Sequence, residues 1–89
     1  MSAILTADVL QDTMAVSLAC AMAAANRRAH EMGVNPQDRL ISILQPDELA
    51  RPFWQINYGL RDYRNKRGGD LLIEVEADGA RIQRAVWGQ

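Results

Sequence analysis

The strongest constraint on this chain's fold lies between Gly69 and Trp87. Leu71, Ile73 and Val75 alternate with Asp70, Glu74 and Glu76, so an extended strand here has one apolar face and one acidic face. Asp78-Gly79 follows, the kind of dipeptide that supplies positive φ in a tight turn whose twist suits the flanking strands. Beyond it, Ile82 and Val86 are expected to point one way and Arg81, Gln83 and Trp87 the other, giving an edge strand guarded by charge. The pattern predicts strands over 70–77 and 80–87 joined by a hairpin at Asp78-Gly79.

The N-terminal third has a different period. Leu10, Met14, Leu18, Ala21, Met22, Ala25, Ala29 and Met32 recur every three or four residues, the stripe of a helix that lies on a sheet. Thr6 and Asp8 are both N-cap residues by type, and Asp8 with Gln11 makes a capping-box pattern. At the other end Arg27, Arg28 and His30 suit the negative pole of the helix, Gly33 suits a left-handed cap and Pro36 bars continuation. One helix over 6–32 is expected. Ala15, Ala19, Ala23 and Ala24 widen its apolar sector, as expected of good helix formers and also of a second contact face.

Two further strands complete the chain. Residues 39–45, with Leu40-Ile41-Ser42-Ile43-Leu44 at their centre, are β-branched and apolar and end at Pro46. Residues 53–59 place Trp54, Ile56 and Tyr58 on one face and Gln55 and Asn57 on the other. The double glycine Gly68-Gly69 permits a bend before the third strand. The fold class is therefore α+β, one long N-terminal helix packed on a four-stranded antiparallel sheet, in a single domain over 1–89.

Composition excludes several classes. The 89 residues are 48% hydrophobic and 24% charged, as in a globular domain, and a formal charge of −1 is not that of a protein built to coat nucleic acid. A core of this size is marginal, which favours a partner or a second copy. The single cysteine, Cys20, cannot form an intrachain disulfide or a cysteine metal cluster. The apolar run from Met14 to Ala25 is shorter than the roughly 20 residues that span a bilayer. It follows Asp8 and Asp12 with no Lys or Arg before it, unlike a secretory signal. A cytoplasmic, reducing setting without membrane contact is expected.

Catalytic constellations are not in view. Cys20 and His30, the one possible thiol–imidazole pair, fall on the same helix about 15 Å apart. Cys20 reads as a small buried apolar residue and His30 as a helix C-terminal charge. Ser2, Ser17 and Ser42 lack a nucleophile-elbow context, and Glu74 with Glu76 reads as a solvated, salt-bridged pair. Asp70, Glu74 and Glu76 lack the ligand loop of a calcium site, and Gly68-Gly69 lacks the following helix of a phosphate loop. No catalytic residue, cofactor or metal is assigned.

Binding residues are easier to find. Arg61, Tyr63, Arg64, Lys66 and Arg67 form a basic loop with an aromatic face, the equipment for gripping phosphate or single-stranded nucleic acid. A solvated loop that neutralises the acidic third strand is the plainer alternative. Period two prevents Phe53 and Trp54 from both entering the core, so Phe53 and Trp87 are candidate partner contacts while Trp54 and Tyr58 fill the interior. A homodimer meeting around Phe53 and Trp87 is expected, because two-fold pairing is the commonest way to bury such surface.

The order helix, Trp54-x-Ile56-x-Tyr58, then Gly68 to Ile82, resembles small cystatin-like domains of the PepSY kind and immunity proteins of the nuclear-transport-factor-like fold. Asp78 stands where the PepSY pattern has the threonine of a Thr-Gly turn. The resemblance implies a non-catalytic domain that binds or inhibits a protein partner through its sheet face and loops, with no cofactor.

Overall fold

Asp12 ends one helix and starts the next. In the computed structural model, which describes residues 6–46, 51–61 and 69–88, α1 spans Ala7–Gln11 and α2 spans Thr13–Glu31. Asp12 is extended (φ −90°, ψ 104°), and its carboxylate accepts the Ala15 N–H at 3.0 Å. The unbroken helix expected over 6–32 is corrected here, and so is its cap. The first turn of a helix leaves backbone N–H groups without partners, and an aspartate just outside it satisfies one of them. Thr6 makes no such side-chain bond.

The C-terminal stop follows expectation. Gly33 takes φ +83°, its N–H donates to His30 C=O at 3.0 Å, and Val34 N–H donates to Ala29 C=O at 2.8 Å, a Schellman closure. Pro36 then opens a short 3-10 turn, Pro36–Asp38.

Four strands follow, β1 Arg39–Leu44, β2 Phe53–Leu60, β3 Leu71–Glu76 and β4 Ile82–Trp87, in an antiparallel meander ordered β1-β2-β3-β4. The α+β class is as read from the sequence. The β3–β4 connection is wider than expected. Glu76 N–H donates to Arg81 C=O at 2.8 Å, and the turn comprises residues 77–80 with positive φ at Gly79 (+89°) and Ala80 (+53°), not at Asp78. A register shift between Glu74 and Val75 then pairs Val75 with Ile82, Ile73 with Ala85 and Leu71 with Trp87. This irregularity reverses the second half of β4. Val86 lies opposite Leu72 on the open face and Trp87 opposite Leu71 on the helix side, the opposite of strict alternation from Ile82.

The core is a small two-layer stack. Trp54, Ile56 and Tyr58 pair directly with Val75, Ile73 and Leu71, and all six are buried. Above them lie Ala21, Ala25 and Ala29, at four-residue spacing and with no exposure, joined by Val34. Leu18, Met22 and Met32 pack at the margin. The N-terminal part of the predicted stripe is not core, since Leu10 and Met14 are each 60% exposed. The break at Asp12 separates Leu10 from the helix that sits on the sheet, and Met14 precedes the first residues of α2 that pack there.

Truncation separates these two halves. Ile73→Ala removes a fully buried side chain and should cost about 2–5 kcal/mol in urea unfolding, whereas Leu10→Ala and Met14→Ala should each stay within about 0.5 kcal/mol. Asp12→Ala should cost about 1 kcal/mol through the lost cap.

Candidate functional site

One helix divides the sheet into a covered and an open face. On the open face the register aligns Leu40, Ser42 and Leu44 of β1 with Gly59, Asn57 and Gln55 of β2. Asn57 and Gln55 in turn meet Leu72 and Glu74 of β3, and Phe53 meets Glu76. Leu72 and Glu74 then meet Val86 and Arg84 of β4. The surface is mixed, with half-buried apolar side chains among amides and carboxylates.

Its relief comes from Gly59. Without a side chain there, Leu40, Ser42, Asn57, Leu60 and Asp70 line a shallow hollow of about 330 Å³. The Asp70 carboxylate stands over it and accepts the Asn57 amide N–H at 3.0 Å. A Cβ added at Gly59 would meet Leu40 O at 3.5 Å and Asp70 Oδ2 at 3.6 Å, ordinary contacts, so the glycine is not demanded by backbone geometry. The other acids are paired: Glu74 with Arg84 at 3.9 Å and with the Gln83 amide at 3.2 Å, Glu76 with Arg81 at 3.6 Å. Arginines of the β3–β4 hairpin itself thus neutralise the acidic strand.

The sequence-derived binding residues do not form one patch. Phe53 opens β2, half-buried on the open face opposite Glu76. Trp87 closes β4, 51% exposed on the helix side opposite Leu71. The two lie on opposite faces and near opposite ends of β3. Arg61 is exposed just beyond β2, while Tyr63, Arg64, Lys66 and Arg67 lie outside the described residues, as does Gly68. Arg39, at the start of β1 opposite Leu60, has a buried Nη1 with no hydrogen-bond partner among the described residues.

Cys20 is a further correction, being exposed rather than buried. It sits on α2 one residue before Ala21, just off the buried stripe, and borders an apolar groove of about 440 Å³ with Leu10, Val16, Ala77 and Ala80. Among the described residues no group of three or more His, Cys, Asp or Glu is placed to hold a metal ion, and no helix is long and apolar enough to cross a membrane.

Two polar latches fasten the covered face, and sequence reading assigned neither of their helix partners. Trp54 Nε1–H donates to Ser17 Oγ at 2.9 Å, and Ser17 in turn donates to Ala77 C=O at 2.8 Å. Tyr58 O–H donates to Asn26 Oδ1 at 2.8 Å. Both Trp54 and Tyr58 bury a ring while keeping one polar atom that needs a partner. A search for polar residues on the helix face predicted to lie over those rings would have found Ser17 and Asn26.

Burial raises the Tyr58 hydroxyl from 10.0 to about 12. The folded state therefore holds this proton more tightly than the unfolded chain, so the associated stability is intact below pH 10 and lost as pH rises towards 12. Tyr58→Phe should lower stability by about 1 kcal/mol near neutrality and flatten the alkaline fall between those values, as read by denaturant titration across the pH series.

The chain matches no protein-family model, no curated protein and no solved structure.

Proposed function

We propose that this chain is a non-catalytic protein-binding or inhibitory domain that engages its partner through the open face of the sheet and the adjoining loops. The observation that carries the reading is the one-sided sheet: the open face presents Phe53, Leu72 and Val86 among polar groups, with a hollow at Gly59 able to accept a partner side chain. Stable protein interfaces have this mixed composition around a few anchoring pockets. The PepSY-like order of helix and hairpin points to the same class of function. The exposed thiol of Cys20 fits a reducing, cytoplasmic setting.

Gly59→Val tests the reading without straining the backbone. It fills the hollow at a strand position where a β-branched residue is favourable, so stability should hold or rise slightly. Affinity capture from native cells should return a stoichiometric protein with the wild-type chain. Gly59→Val or Leu72→Arg should weaken that capture about tenfold or more, while Arg27→Glu on the exposed side of α2 should leave it intact. Equal capture by all four chains would place the contact elsewhere. Recovery of nucleic acid instead, with steep loss in salt, would transfer the function to the basic loop 61–67.

A further inference from the structure

The two edges of the sheet are built differently. β4 carries Arg81, Gln83 and Arg84 in and beside the strand, and a register irregularity breaks its pairing with β3. Charges and bulges of this kind discourage further strand addition. β1 carries a single charge, Arg39 at its first residue, and no register irregularity. It pairs with β2 in unbroken register from Arg39 to Leu44, and among the described residues β2 is its one neighbour. Its last five residues hold no charge, proline or glycine, and four of them are large apolar side chains left open: Leu40 at 49%, Ile41 at 40%, Ile43 at 43% and Leu44 at 59% exposure. Such an edge is a template for another strand.

The order of these residues indicates which strand. Leu40-Ile41-Ser42-Ile43-Leu44 reads the same in both directions. Antiparallel pairing of two copies about a two-fold axis through Ser42 sets Ser42 opposite Ser42, Ile41 opposite Ile43 and Leu40 opposite Leu44, so that the apolar pairs match like with like. A two-fold axis normal to the sheet keeps both copies' faces aligned, so the alternative registers slip by two residues and set leucine against serine. The axis also brings both α2 helices to the same side. Because α2 packs on β2 and β3, Ile41 and Ile43 of the two copies would meet in the open strip between the helices, beside Tyr58 and Ile56.

We propose that the chain forms a homodimer by antiparallel pairing of β1 with the same strand of a second copy, centred on Ser42, which joins the two meanders into one continuous sheet. This places the contact at the opposite edge from Trp87. Leu40 and Ser42 also line the hollow at Gly59, so this edge adjoins the open-face site, whose contacts Phe53 and Leu72 lie on other strands.

Sedimentation equilibrium across the micromolar range should show a dimer. Ser42→Lys sets two ammonium groups directly opposite each other on an exposed strand, and should weaken the dimer at least about tenfold with little change in circular dichroism. Trp87→Ala should leave it intact. In a Cys20→Ala background, mild oxidation should link Ser42→Cys chains into a covalent dimer. Leu40→Cys should link poorly, because each residue 40 faces residue 44 and lies about 13 Å from its own equivalent. A wild-type monomer at the top of that range, a dimer broken by Trp87→Ala but not by Ser42→Lys, or equal cross-linking at positions 40 and 42 would each overturn the proposal. A dimer that survives Gly59→Val while partner capture fails separates this interface from the open-face site.

Discussion

The width of one helix governs this structure. An α-helix with its side chains is about 10 Å across, and strands are spaced about 4.8 Å apart, so a single helix can cover roughly two strands. Here those strands are β2 and β3, on which α2 sits through Ala21, Ala25 and Ala29. Alanine at four-residue spacing lets the helix approach closely, and the floor beneath it is filled by Trp54, Ile56, Tyr58, Leu71, Ile73 and Val75. The close seat makes a dry core from few residues. Among the described residues it also leaves β1 open on the helix side and the reverse face of the sheet without a protein layer.

Such a narrow seat needs its position defined, and small alanine faces define it weakly because they can slide. The two hydrogen-bonded latches supply what they lack. Ser17 meets Trp54 and Ala77 toward the N-terminal half of α2, and Asn26 meets Tyr58 toward its C-terminal half. Two points of directional bonding fix both the rotation of α2 and its translation along the strands, while the rings that carry the donors remain in the apolar layer. Leaving either donor buried and unpaired would cost more than the bond itself contributes, which is why such latches specify an arrangement more than they stabilise it.

The surfaces left over follow from the same geometry. β4 is an edge that resists pairing, and Arg81 beside its turn and Arg84 within the strand hold the carboxylates of β3. β1 is an edge that invites it. The open face combines a hollow at Gly59 with half-buried apolar side chains, so the features that suit association lie on the unpaired edge and uncovered face rather than beneath the helix.

The sequence by itself determined the main helix, the four strands, their order, the inward placement of Trp54 and Tyr58 and the Gly33 stop, because each depends on periodicity or local backbone preference. Near elements it could not resolve, the tertiary structure decided. The chain breaks at Asp12 because a cap there competes successfully with helix continuation, and Leu10, Met14 and Cys20 are exposed because sharing or adjoining an apolar stripe does not ensure that a sheet lies beneath it. Val86 and Trp87 exchange faces because one irregularity shifts every later side chain. The exposure of Leu40-Ile41-Ser42-Ile43-Leu44, read locally as a strand fit for burial, was decided by the distance from β1 to a helix wide enough for only two strands.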